Sequence, residues 1–191
     1  MYEFHTNKPW YFEMQYKNAK EFVIPFIEEY FRVGENIHVL EVGCAEGGVL
    51  KAFLDKGRTG VGVELEDGRL KMASEFLEKE VVEGTVKLIN KNIYDPSFET
   101  EFSNKFDLIV LKDVIEHIPN QEKILMEFQK FLKPGGKLFF GFPPWQMPFG
   151  GHQQLCKSFL SKIPYFHLLP MGAYKKILNY FNEYVPAFVE I

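Results

Sequence analysis

The run His38-Val39-Leu40-Glu41-Val42-Gly43-Cys44-Ala45-Glu46-Gly47-Gly48 constrains this chain more than any other stretch. Ile37 to Val42 reads as a short buried strand that carries a carboxylate near its end and runs into a glycine-rich turn. Val49-Leu50-Lys51-Ala52-Phe53-Leu54 then opens a helical pattern. Strand, tight glycine turn and helix N-terminus form the nucleotide-binding corner of doubly wound α/β domains. Glycine serves there because the backbone takes unusual dihedrals and lets a ligand come close.

Two features favour an adenosyl-sulfonium ligand over a dinucleotide. Glu41 suits an amino group and would repel a pyrophosphate. The Gly43-Cys44-Ala45-Glu46-Gly47 turn also lacks the second glycine that dinucleotide binders use.

The 191 residues, 46% hydrophobic and 25% charged, are enough for one domain with a sizeable core. The expectation is a single domain, 1–191, with an N-terminal helical cap (1–35), a ligand-binding core (36–142) and a loop with a helical tail (143–191). A net charge of −4, with lysines scattered rather than blocked, argues against nucleic acid as a partner. Cys44 and Cys156 form no CxxC pair, and the first residues do not read as a signal peptide. No apolar run approaches the ~20 residues of a membrane span. The expected location is therefore the cytoplasm.

In chain order, Tyr16 to Phe31 shows near-helical apolar spacing despite Pro25, whereas residues 1–15 have no clean period. A helix is expected over Val49 to Lys56, stopped by Gly57. Strands are expected at Thr59–Glu64, Thr85–Asn90, Lys105–Leu111 and Lys137–Phe142, and helices at Arg69–Glu80 and Gln121–Leu132. Such alternation means βαβ units and a parallel sheet. Glu64 follows Gly47 by 17 positions, near the ~20-residue spacing at which a carboxylate on the second strand tip reaches ribose hydroxyls.

Beyond Phe142 the pattern changes to a Pro/Gly/aromatic loop, Pro143 to His152, followed by expected helices at Gln153–Ile163 and Ala173–Tyr184. Tyr174, Tyr180, Phe181 and Tyr184 read as a helix packing face or the surface of a homodimer.

The glycine corner, the later string FDLIVLKDVIEHIPN (residues 106–120) and LKPGGKLFF (residues 132–140) together resemble class I S-adenosylmethionine (SAM) methyltransferases. The resemblance covers roughly residues 37–145. It implies a Rossmann-like α/β fold and SAM as cofactor. Glu41 and the turn Gly43, Cys44, Ala45 and Gly47 would hold its methionine part, with Cys44 a packing residue rather than a nucleophile. Glu64, with Leu65 beside it, would hold the ribose, and Asn92 (or Asp95) with Ile93 the adenine. Lys112 at the fourth strand tip completes the set. The methyl would go to a small-molecule acceptor, an O-methyl product being favoured.

His117 is the expected base, one helical turn past Asp113 on the same face. The Pro143 to His152 loop, with Trp145, would line the acceptor pocket. The string is similar to the Glu-x-x-Glu-His of ubiquinone-biosynthesis and small-RNA methyltransferases that use a divalent metal. Asp113, Glu116 and His117, with His152 as a fourth ligand, would then hold Mg²⁺. Asp113 shortens the reach, and metal-free relatives carrying the string are commoner, so the expectation is no metal.

The family closes its sheet with further strands that this chain does not display, so the expectation is either a truncated chain, which is favoured, or a helical tail in place of those strands. The rival readings are an NAD(P)-dependent oxidoreductase and a non-catalytic SAM-binding subunit. The first lacks a Tyr-x-x-x-Lys pair after the fourth strand.

Overall fold

A computed structural model describes residues 7–185 except Val33, Glu35 and Gly151. The first six residues of the expected cap, and parts of the turn before the first strand and of the loop after residue 142, thus lie outside the described residues. The chain forms two compact units, one spanning residues 7–141 and the other the segment from residue 142 onward.

The larger unit is a five-stranded sheet in the order β3-β2-β1-β4-β5. Its strands are β1 (His38–Val42), β2 (Thr59–Glu64), β3 (Val86–Asn90), β4 (Phe106–Lys112) and β5 (Leu132–Gly141). Every pairing is parallel. This is the doubly wound arrangement expected from the sequence, with the order reversing between β1 and β4. Alternate residues feed opposite faces. Val39, Leu108 and Val110 enter one apolar cluster, and Leu40, Val42, Ile109 and Leu111 the other. Both faces are covered, so the central strands are apolar throughout.

One face is covered by α1 (Lys8–Asn18), a π-helical turn (Ala19–Val23), α2 (Ile24–Tyr30) and α3 (Gly48–Leu54). The helical chain begins at Lys8, eight residues before the periodicity starts. Asn7 caps it by accepting the Trp10 N–H at 3.1 Å. No α1 residue is fully buried, which is why its apolar residues show no period. The proline expected to kink or delay the helix, Pro25, sits in the first turn of α2, where the π turn absorbs it.

The expected helix over Arg69–Glu80 is two pieces, α4 (Asp67–Phe76) and α5 (Glu78–Val82). They break at Leu77, whose side chain is fully buried. On the other face lie α6 (Pro96–Phe102) and α7 (Gln121–Phe131). The sequence reading passed over α6, although Asp95 caps it through the Ser97 N–H at 2.8 Å and Pro96 opens it. Lys133 to Gly136, which read as a turn by their Pro-Gly pair, lie inside β5 as an irregularity. Phe106 pairs with Leu132, and the next β4 partner is Leu108 with Lys137.

In the second unit the helix expected over Gln153–Ile163 does not form. Two short 3₁₀ turns, Gln153–Leu155 and Phe159–Lys162, replace it. The buried Gln153 amide donates to the Leu160 carbonyl at 2.7 Å and to that of Ile163, folding the segment back on itself. A last helix, α8 (Met171–Tyr180), packs Tyr174 and Leu178 onto Cys156, Leu160 and Phe166. It stops short of the expected Tyr184. His167 is buried, its Nδ1 3.1 Å from the Gln153 amide oxygen and its Nε2 2.5 Å from the Trp145 carbonyl.

Candidate functional site

The tips of β1 to β4 open onto a cavity of about 440 Å³, within the range of small-molecule and cofactor sites. Its floor is the glycine turn. Gly43 and Gly47 have φ of +69° and +86°, and Ala45, at +49°, is left-handed as well. A Cβ on Gly43 would stand 2.6 Å from Val114 Cγ2, so only glycine lets the β4 loop close over the turn.

Glu64, at the β2 tip, holds this floor in place. One carboxylate oxygen accepts the Ala45 N–H at 2.9 Å, and the other accepts the N–H groups of Leu65 and Glu66 at 2.8 and 3.0 Å. The same carboxylate faces the cavity.

Asn92 and Ile93 line the cavity beyond β3. The Asn92 side-chain oxygen accepts the Tyr94 N–H at 2.9 Å, while the alternative, Asp95, is committed to capping α6. The Tyr94 hydroxyl donates to the Pro119 carbonyl at 2.8 Å, joining the β3 and β4 loops. At the β4 tip Lys112 and Asp113 pair at 2.5 Å, and both face the cavity.

His117 also lines the cavity, but not from the helix expected of it. Asp113 is in a bend with φ of +55°, and Ile115–His117 is a 3₁₀ turn. The i, i+4 relationship on one helical face is therefore absent. Among the described residues no three His, Cys, Asp or Glu side chains come together as a metal-holding group. Residues 113, 116 and 117 thus do not fit the metal set that their spacing suggests.

Three expected ligand residues are not on the cavity wall. Glu41 is 3% exposed and lies under the turn, accepting the Leu50 N–H at the start of α3. Burial, more than any neighbour, pushes its carboxyl well above the ordinary value. Cys44 is buried against β2, with its Sγ 2.9 Å from where a Cβ on Gly62 would stand, and burial raises its thiol as well. That is the environment of a packing residue, not a nucleophile. Gly47 is closed off by Leu77, whose Cδ1 would lie 2.9 Å from an added Cβ. The rest of the expected set, Gly43, Ala45, Glu64, Leu65, Asn92, Ile93, Lys112, Asp113 and His117, does line it.

Sequence reasoning missed the α1 wall and one side of α4. Tyr11 and Gln15 face the cavity from α1, and Arg69 from the first turn of α4. The helix α1 approaches because Gly48 has no side chain: a Cβ there would stand 2.4 Å from the Phe12 carbonyl oxygen. The ion pair of Lys8 with the wholly buried Glu46, at 2.8 Å, fastens α1 to the turn. Glu46, a residue within the glycine motif itself, was the one sequence signal for this fastening.

The fold is a doubly wound α/β domain with a cavity over its strand tips. The chain belongs to the methyltransferase-domain family, whose match runs over residues 14–181. It is 30% identical over 103 residues to the ubiquinone biosynthesis O-methyltransferase of Coxiella burnetii, covering 54% of this chain and 42% of that protein. It is 28% identical over 134 residues to a sterol 4-C-methyltransferase of Caenorhabditis elegans, covering 70% of this chain and 39% of that protein. The matches thus span less than half the length of these relatives. A solved structure from Methanococcus maripaludis, of a protein assigned to the SAM-dependent methyltransferases without an established activity, shares the fold with a TM-score of 0.61 at 14% identity, covering 72% of this chain and 61% of the other. Among the described residues no helix is long and apolar enough to cross a membrane.

Proposed function

We propose that this protein is a SAM-dependent methyltransferase acting on a small-molecule acceptor, with transfer to oxygen as the favoured outcome. The observation that carries the reading is the Glu64 carboxylate, locked at the β2 tip by three backbone N–H groups and open to a cavity over a left-handed glycine turn. A carboxylate in that place accepts vicinal ribose hydroxyls, and Asn92 with Ile93 meets the adenine.

SAM, when bound, supplies an electrophilic methyl group on a sulfonium. The work left to this chain is positioning and proton removal. Asp113 and His117 line the cavity, and in this reading His117 takes the proton of a hydroxyl acceptor. Oxygen is favoured because the 113–117 string resembles that of the ubiquinone-type enzymes, and because His117 is on the cavity wall. The sterol relative is named for transfer to carbon, so the acceptor atom is a point for experiment.

The test is calorimetric titration with S-adenosylhomocysteine and NAD⁺, followed by labelled methyl transfer from SAM to a panel of phenols, amines and apolar acceptors. Binding of the adenosyl ligand without NAD⁺, and label recovered on oxygen, is the expected result. NAD⁺ binding alone would overturn the reading.

A further inference from the structure

The cavity wall carries three cations, Arg69, Lys91 and Lys112, against two carboxylates, Glu64 and Asp113. Lys112 is spent on Asp113 at 2.5 Å, and Lys91 donates to Ser97 Oγ at 3.0 Å. Arg69 differs. Its Nε lies 3.1 Å from Glu66 and 3.9 Å from Glu46, so both contacts fall on the inner side of the guanidinium. Glu46 is in turn already paired with Lys8 at 2.8 Å. Neither terminal nitrogen of Arg69 has an acceptor among the described residues.

A guanidinium fork facing a cavity is built for a planar anion, and a carboxylate matches its two parallel N–H directions. Tyr11 stands beside it on the α1 wall, within the field of Arg69 and Asp113 and hydrogen-bonded to the Gln15 amide. Burial raises its phenol above the ordinary value, so the hydroxyl keeps its proton and remains a donor.

Glu41, the carboxylate expected to meet the cofactor's amino group, is buried under the turn and absent from the wall, while Gly43 and Ala45 line it. None of these offers a cation to the other charged group of that tail, its carboxylate, which is the only anionic group SAM carries. We propose that Arg69, assisted by the Tyr11 hydroxyl, recognises the carboxylate of the cofactor's amino-acid tail. This rests on the SAM reading above.

The experiment compares S-adenosylhomocysteine with 5′-methylthioadenosine, which keeps the nucleoside and thioether but lacks the amino-acid tail. Both are titrated into wild type, Arg69→Met and Tyr11→Phe, with thermal melts to check that each variant is folded. Arg69→Met is expected to weaken S-adenosylhomocysteine roughly 10- to 100-fold, as for a lost charge-assisted bond, and to leave methylthioadenosine within about twofold. Tyr11→Phe should show the same selectivity at smaller size. Equal weakening of both ligands would reduce Arg69 to a structural role and overturn the proposal. Unchanged affinity for both would overturn it too. Failure of the wild type to bind either ligand would sink the SAM reading, and this proposal with it.

Discussion

The Glu64 carboxylate accepts the Ala45 N–H at 2.9 Å, so the tip of one strand fixes the turn that follows its neighbour. Three N–H bonds leave about one of the four acceptor sites of that carboxylate free, and Glu64 lines the cavity. Glu64→Ala therefore removes both a ligand acceptor and a brace. S-Adenosylhomocysteine should bind roughly 10- to 100-fold more weakly. Methylthioadenosine should weaken in parallel, because it keeps the ribose, in contrast to its indifference to Arg69→Met. Calorimetry on both ligands reads the difference, and a ribose role is excluded if methylthioadenosine binds the variant as well as wild type.

Glu41 gives the protein a pH-dependent stability of defined sign. Its carboxyl ionises near its ordinary value in the unfolded chain and well above it when folded, chiefly because of burial, with Glu64 adding and Leu50 N–H and Lys112 opposing. Between those two values the native state holds more protons than the unfolded state, so stability falls as pH rises. The contribution is complete below the unfolded value. Glu41→Gln cannot ionise, yet keeps an oxygen for the Leu50 N–H. Unfolding free energies measured by denaturant titration from pH 5 upward should decline less steeply for the variant, by up to about 1.4 kcal/mol per pH unit. Superimposable profiles would count against a raised carboxyl.

The fastening of α1 is testable by itself. Glu46 is wholly buried, and Lys8 is its near partner. Lys8→Met leaves a buried carboxylate with only the more distant Arg69, a loss of about 2 kcal/mol, or some 4–8 °C in melting temperature. Because Tyr11 and Gln15 reach the cavity from the same helix, affinity for S-adenosylhomocysteine should fall as well. An unchanged melt would show that Gly48 and the packing at Phe12 hold α1 without the ion pair.

The sequence exposed those parts of the molecule whose constraints are local. The strands β1 and β4 are apolar runs because both their faces are buried, and the glycine corner is short enough to read directly. What stayed hidden depends on contacts between distant segments. The helix α1 has no buried residue of its own, so nothing periodic marked it, and Tyr11 and Gln15 were lost with it. Arg69 was placed in a helix, but its direction depends on Glu66 and Glu46 together. Glu41 stands beside the glycine as read, but its side chain is buried and meets Leu50 rather than the cavity. Gln153–Ile163 looked helical, yet the Gln153 amide draws the chain back through two carbonyls that no local pattern reveals.

Removing His117 separates catalysis from mere cofactor binding. His117 lines the cavity with its side chain 55% exposed, so its removal disturbs little packing. If it takes the acceptor proton, His117→Ala should slow methyl transfer by about 10²–10⁴ and leave S-adenosylhomocysteine affinity within about twofold. The same variant assayed on a carbon or thiolate acceptor should lose much less, because no hydroxyl proton has to leave. A wild-type protein that binds the cofactor and transfers to none of these acceptors would point to a partner subunit. A full-rate His117→Ala enzyme on a hydroxyl acceptor would move the base to Asp113, which the bend after β4 also turns toward the cavity.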